Sequence, residues 1–353
     1  MTSAVQTRVD GRRVLIPGGT GGVGEGIVRA YLAAGAHVVV PSRDERRAAE
    51  FRQVLGEAVT DRLHLVVHDY TTFDGADRLA AEMTDRLGGL DDVVAPIGGY
   101  WGGRKLWEID PADWQAAFVD PVTTHAAVMR AVLPRLSPTG TYQIVAGESG
   151  FRPVPGSGLL SMEQSALLMM GKVLVAEAAG RPRVFTLVLG PVRTRSVGDA
   201  QPEWITPGQI GEVAVAASVS ELAGHEIRLP DPASAARALT LLRGGTASRP
   251  VFLASPLRPR PGRRGDLLAV LAELAPRIRA EPGNLEYSVR SPLDDENGPL
   301  LAVMAFASAE AFERHQASIA SEIPRIAALV DGPLTPPIRY DATPSAGGPA
   351  EQL

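Results

Sequence analysis

The sequence predicts an α/β chain in two parts: a Rossmann-like doubly wound parallel sheet, followed by a small α+β ferredoxin-like domain. Two observations predict it. From Arg13 to Leu229, short apolar runs of strand length alternate with segments of helical period, and a glycine-rich turn stands at the first strand-to-helix junction. After Pro230 the order becomes strand, helix, strand, strand, helix, strand, which is the βαββαβ pattern.

The elements follow in order. Arg-Val-Leu-Ile-Pro at 13–17 is a short apolar strand, the glycine loop follows it, and Gly26–Ala34 has helical period. His37–Pro41 is a buried strand, Arg46–Leu55 a helix, Leu63–Val67 a strand, Asp74–Leu87 a helix and Asp92–Ile97 a strand. A long helix is predicted over Trp114–Leu136, then strand Tyr142–Ala146, helix Gln164–Ala179 and strand Val184–Leu189. Ile210–Leu222 and Glu226–Leu229 close the first domain. Alternation of this kind implies parallel strands with right-handed crossovers. The first domain is assigned to residues 1–232 and a linker to 233–249, where Ala233–Leu242 has the pattern of a connecting helix. The second domain, 250–342, reads as strand Val251–Ser255, helix Asp266–Arg279, a turn at Glu281–Asn284, strands Leu285–Arg290 and Leu300–Ala307, helix Ala309–Leu329 and strand Ile338–Tyr340. The Pro/Gly/Ala-rich tail, 343–353, is expected to be disordered.

Composition removes several function classes. With 40 acidic and 35 basic residues the net charge of -5 offers no footprint for nucleic acid, and the basic run Arg258–Arg264 is read as a solvated loop. Absence of cysteine removes thiolate chemistry and iron–sulfur or Cys–zinc sites, and the six histidines form no HxxxH or HxH pair. No metal and no flavin are expected. The polar N-terminus has no apolar signal core, no uncharged apolar window of membrane-spanning length occurs, and a cytoplasmic location is expected.

A glycine-rich turn between a strand and a helix lets backbone N–H groups approach a pyrophosphate and places that anion at the helix N-terminus. Gly18-Gly19-Thr20-Gly21-Gly22-Val23-Gly24 stands in that context. Here residues 11 to about 230 resemble a short-chain dehydrogenase/reductase. Gly18, Gly22 and Gly24 fit the family's GxxxGxG, with Thr20 and Val23 inside the loop. Asp69 fits its adenine-contacting acid, and Gly190, Val192 and Thr194 fit its PG-x-V-x-T segment beside the nicotinamide. Gly98 falls in the turn after the fourth strand, Pro96-Ile97-Gly98-Gly99, where the family has Asn-Ala-Gly. After the second strand an acidic residue would bond a ribose 2′-OH. Ser42 is neutral and Arg43 suits a 2′-phosphate, so NADPH is expected over NADH; the plain alternative for Arg43 is a surface residue.

The resemblance also implies a catalytic Tyr, a Lys four residues later, a Ser, and an Asn in the long helix. Ser149 falls on the Ser position and Glu148 stands beside it. The Tyr position is Leu160, the Lys position Gln164, and the Asn position Asp120-Pro121. No shift of alignment supplies the phenol, because no Tyr lies between Tyr142 and Tyr287. Reduction of a simple ketone gives an alkoxide that needs a proton donor, and general acid catalysis contributes roughly 10²–10⁴-fold. Reduction of a quinone gives a delocalised phenolate, which needs the donor far less. The site therefore suits a quinone, or another electron-poor conjugated acceptor. Tyr100 and Trp101, after the fourth strand, are candidates to stack on it, with Tyr100 also a displaced acid; lid or core packing is the alternative for both. Leu160 and Gln164 are the expected substrate neighbours.

Residues about 250–342 resemble the antibiotic biosynthesis monooxygenase (ABM) family, through Arg279–Tyr287 and Ser308–His315. The family's E-x-W is replaced by Met304-Ala305-Phe306. Some members oxidise polycyclic phenols with O₂ and no metal or flavin, and such domains commonly dimerise, so a homodimer is expected; an oxygenase role and a purely structural one, dimerising the chain or shaping a pocket, both fit the domain. His315 is the family's helix His, and both a catalytic and a packing role fit it. The combined expectation is NADPH-dependent reduction of an aromatic polyketide-type quinone coupled to O₂-dependent oxidation in natural-product tailoring. The alternatives are a non-redox NADP(H)-binding sensor or scaffold, and a cofactor-independent cyclase or isomerase.

Overall fold

The computed structural model describes residues 9–222, 224–243, 251–295, 298–334 and 337–340. The chain divides into two compact units, Met1–Leu242 and Arg243–Leu353.

The first unit holds a sheet of seven parallel strands: β1 (Arg13–Leu15), β2 (His37–Ser42), β3 (Leu63–Val67), β4 (Leu90–Ala95), β5 (Leu136–Gly147), β6 (Arg183–Leu189) and β7 (Glu226–Leu229). Their spatial order is β3-β2-β1-β4-β5-β6-β7, so the winding reverses between β1 and β4. In such a sheet the ligand crevice lies outside the carboxyl ends of the strands at that reversal. Side chains alternate between two layers. Val14, Val38 and Val40 join α1 (Gly22–Ala33), α2 (Glu45–Leu55), α7 (Pro207–Val219) and α8 (Pro232–Arg243) in one core. Leu15, Val39 and Val93 join α3 (Phe73–Leu87), α5 (Asp120–Val132) and α6 (Gly158–Ala178) in the other. Both faces are thus covered, which accounts for the near-continuous apolar strands. α1 and α7 cross closely enough that a Cβ on Gly211 would lie 2.5 Å from the Gly26 carbonyl.

Two clusters pair buried polar groups inside this unit. Asp92, fully buried, accepts from Arg12 at 2.6 and 2.8 Å and from the Thr141 hydroxyl at 2.6 Å. Both Tyr31 Oη and Gln143 Nε2 donate to the Ala214 carbonyl, at 3.0 and 2.9 Å.

Some elements of the first unit differ from the sequence reading. The expected helix over 114–136 starts as α4 (Pro111–Trp114), widens into a π turn at Gln115–Val119, and continues as α5. Pro121 has no N–H to give the Ala117 carbonyl, so the i→i−4 ladder cannot pass through it unbroken. Leu136 already belongs to β5, after a short 3₁₀ turn containing Pro134. The expected connecting helix of the linker is present as α8, and it packs Ala235, Ala238 and Leu242 into the first core. Residues 244–250 of that linker, and the expected tail 343–353, lie outside the described residues. Helix α6 is long and apolar enough to cross a membrane by length and composition. It packs Leu167, Leu168 and Leu174 into the second core.

The second unit has four antiparallel strands in the order β11-β8-β10-β9, formed by β8 (Val251–Leu257), β9 (Asn284–Arg290), β10 (Leu300–Phe306) and β11 (Ile338–Tyr340). α9 (Arg264–Arg279) and α10 (Ala309–Ile319) pack on it. The expected single helix over 309–329 is broken, and α11 (Ile323–Ala327) starts anew with Pro324 in its first turn, where the missing N–H is tolerated.

Candidate active site

The crevice is built from the loops after β1, β4, β5 and β6. After β1 the chain turns at Gly18, whose φ of +82° favours glycine and whose Cβ, if present, would collide with the Pro96 carbonyl after β4. The loops flanking the reversal therefore touch. The Gly18 N–H donates to Tyr70 Oη at 3.0 Å, which fixes the turn from the β3 side. A Cβ on Gly24 would lie 2.5 Å from the Gly18 carbonyl, and one on Gly22 would lie 2.8 Å from the Thr194 side chain. The N-cap of α1 is Gly21, with no side chain to satisfy the first N–H groups. Thr20 is half-buried, and Val23 packs against the core. Free N–H groups over a cradle that only glycine leaves open fit a dinucleotide pyrophosphate. Across the mouth, Arg195 pairs with Glu25 of α1, tying the segment after β6 to the glycine helix. Within that segment Gly190 N–H donates to Leu229 O at 3.0 Å, Val192 bridges to Ile205, and Thr194 bonds Ser196 at 3.0 Å.

At the end of β2 the Ser42 hydroxyl is buried and donates to the Asp44 carbonyl at 3.0 Å. That bond ties it to the turn into α2. Arg43 is exposed. Asp69, at the end of β3, accepts from Thr71 N at 2.9 Å and Thr71 Oγ1 at 2.7 Å. Those bonds, helped by the Arg43 charge, hold its carboxyl below the usual range. Arg47, one turn into α2, adds a second cation to the field felt by Tyr70.

At the end of β5, Ser149 sits in a 3₁₀ turn, Glu148–Gly150. Glu148 is paired with Arg152 at 3.0 Å. A Cβ on Gly147 would lie 3.5 Å from both Ser149 Oγ and Gln164 Oε1, so the structure brings these two expected residues together. Gln164 accepts the Gly147 N–H and donates to Glu163. Leu160, half-buried, is one turn earlier on α6. Tyr142 is no substitute for the missing phenol. It is fully buried in the core, and burial raises its ionisation further.

Sequence reasoning passed over Glu163. It is only 1% exposed, and its Oε1 has no hydrogen-bond partner. That oxygen lies 3.6 Å from where a Cβ of Gly98 would stand. Burial pushes its carboxyl up to about 7, against the opposing bond from Gln164. A lone acid among Leu159, Leu160, Leu167 and Leu168 was the available signal. Nearby, His125 of α5 donates from Nε2 to the Ile97 carbonyl at 3.0 Å; full burial lowers its pKa to about 4, so the ring is neutral. Tyr70, His125 and the Arg195–Glu25 tie carried no motif.

The segment after β4 bears the aromatics. Tyr100 is 86% exposed and Trp107 80%. Trp101 Nε1 donates to Asp113 at 3.2 Å, and Asp113 also pairs with Arg104. Trp101 is thereby pinned to α4, whereas Tyr100 is open to solvent. Of the stretch Leu159–Met170, Leu159, Leu167 and Leu168 are buried core residues.

In the second unit His315 is 2% exposed. Its Nδ1 lies 2.7 Å from Glu281 Oε2, Ser318 donates to the other carboxylate oxygen, and its ring lies 4.8 Å from Phe306. This cluster anchors α10 to the β9 turn inside the core.

Residues 12–203 match the short chain dehydrogenase family, more than half of the chain. The chain belongs to that family. Residues 250–322 match the antibiotic biosynthesis monooxygenase family, so one chain carries both modules. Dehydrogenase/reductase SDR family member 4 of Oryctolagus cuniculus is 31% identical over 205 residues, spanning 55% of this chain and 76% of that protein. The 1-deoxy-11-beta-hydroxypentalenate dehydrogenase of Streptomyces arenae is 31% identical over 178 residues, spanning 48% and 61%. A short chain dehydrogenase from Burkholderia cenocepacia J2315, solved in complex with NADP, shares the fold at a TM-score of 0.57 and 19% identity, covering 64% of this chain and 99% of that one. The protein is an oxidoreductase of this family.

Proposed function

We propose that this enzyme uses NADPH to reduce an aromatic polyketide-type quinone, and that the reduced product is then oxidised by O₂ with net hydroxylation. The reading is carried by an anion cradle that only glycine leaves open (Gly18, Gly22, Gly24), together with Leu160 and Gln164 where the family resemblance implies a Tyr and a Lys. The glycine loop with Thr20 and Val23 would hold the pyrophosphate. Arg43 would hold the 2′-phosphate, Asp69 would lie by the adenine, and Gly98, Gly190, Val192 and Thr194 would line the nicotinamide half. NADPH bound there supplies a hydride. A quinone accepts it with the charge spread over the ring, so the missing Tyr and Lys matter less than for a ketone. Overall, one O₂, one NADPH and one proton convert an aromatic C–H to C–OH, with one water and NADP⁺ formed. Exposed Tyr100 supports a role in meeting a flat substrate. The ABM module supports the oxygen half of the reaction and a homodimer, and its tether would keep an oxygen-sensitive hydroquinone close. The relative from Streptomyces arenae, named for work on a pentalenate, supports a place in natural-product metabolism, and we expect a cytoplasmic enzyme.

The test is calorimetric NADPH binding, followed in the same sample by absorbance at 340 nm and O₂ uptake with a polycyclic quinone. Coupled consumption above the uncatalysed rate supports the reading. Binding without turnover points to a sensor, and no binding moves the search to the second unit. Sedimentation tests the dimer.

A further inference from the structure

Glu163 has no assigned role, yet it stands where the fold concentrates chemistry. The reversal between β1 and β4 puts the crevice at the segment after β4, which includes Gly98. Glu163 reaches that segment from α6, with Oε1 beside Gly98 and without a partner. Its other oxygen accepts from Gln164, whose own oxygen takes the Gly147 N–H at the end of β5. The carboxyl and the amide thus lie across the ends of β4 and β5, next to the reversal. A buried polar atom without a partner calls for a reason, and a ligand at the crevice supplies one.

We propose that Glu163 is the proton donor of this site, delivering its carboxylic proton to the substrate oxygen as hydride arrives, with Gln164 as its positioning residue. The proposal rests on the hydride-transfer reading above. The balance is simple. The quinone takes two electrons and one hydrogen as hydride from the nicotinamide, its C=O becoming an oxyanion. The Glu163 O–H breaks, the proton goes to that oxyanion, and water restores it to the carboxylate. A donor must be protonated at working pH, and burial raises the Glu163 carboxyl to about 7, so it carries its proton below neutral pH. No charged group contributes to that effect. Its neighbour on α6 is the Gln164 amide, β4 and β5 lead into the glycines at 98 and 147, and α5, packed on α6, brings the neutral His125 to the Ile97 carbonyl.

The experiment uses the full chain in three forms: wild type, Glu163→Gln and Glu163→Asp. Infrared titration of cofactor-free protein should show a protonated carboxyl persisting to about pH 7 in the wild type and absent in the Gln variant. Calorimetry should give both the same NADPH affinity, which also certifies folding. Single-turnover reduction of an anthraquinone sulfonate at pH 6 should slow by about 10-fold in the Gln variant, below the usual range for general acids because the phenolate formed is delocalised. In Glu163→Asp the break in the pH–rate profile should move with the carboxyl titration read by infrared. Equal rates and equal pH profiles in wild type and Gln variant overturn the donor assignment and leave the quinone reading standing. A carboxylate already ionised at pH 5, or a break that stays put in the Asp variant, also overturns it. A wild type that binds NADPH and reduces no quinone refutes the hydride reading, and the donor assignment falls with it even if the titration shows a neutral acid.

Discussion

Replacing Glu163 by Gln should change how the stability of the first unit depends on pH, before any substrate is added. In the folded chain burial raises the carboxyl from 4.5 to about 7, whereas unfolding restores the ordinary value. Below pH 4.5 both states are protonated and the group contributes nothing. As pH rises from 4.5 to about 7 the unfolded chain releases its proton and the folded chain does not, so stability falls. Each pH unit in that window is worth about 1.4 kcal/mol, so the loss reaches about 3 kcal/mol by pH 8. Glutamine has the size of the neutral acid and cannot ionise. The variant should therefore gain about 3 kcal/mol on the wild type between pH 4 and pH 8. Guanidinium unfolding followed by tryptophan fluorescence is the assay, because all four tryptophans (Trp101, Trp107, Trp114 and Trp204) lie in the first unit. Parallel stability curves for the two proteins across this range would refute the claim that the carboxyl is held neutral by burial.

Three further outcomes are expected. Arg43→Ala should weaken NADPH by about 10–100-fold and leave NADH unchanged by calorimetry, as loss of one charge-assisted contact to the 2′-phosphate requires; equal losses would remove Arg43 from that role. Tyr70→Phe removes the acceptor of the Gly18 N–H, so it should cost about 1–2 kcal/mol of stability and weaken both nucleotides alike, while a neutral result would show that the turn holds itself. Asp92→Leu leaves Arg12 without its buried partner and should cost about 3–5 kcal/mol in the same fluorescence melts, with a loss below about 1 kcal/mol counting against the pairing.

Much of this protein follows from local pattern. Strands with two apolar faces, the glycine turn between Leu15 and Gly22, and the change of order after Pro230 sufficed for both folds, because side-chain period and turn chemistry are properties of neighbouring residues. The absence of a phenol and an ammonium at residues 160 and 164 is equally a fact of sequence. The breaks at Pro121 and Pro324 had their cause in plain view, yet whether a proline ends, widens or restarts a helix depends on what the flanking turns pack against. Tertiary structure alone decided which polar groups lie in apolar surroundings. Ser42 turned inward to Asp44, His315 entered a core with Glu281 and Phe306, and Glu163 came to rest against Gly98, 65 positions away in the chain. A carboxyl's acidity is set by the solvent it loses and the partners it gains. Both are fixed only when distant segments meet, so the lone acid among the leucines of α6 gains its chemical meaning only in the folded chain.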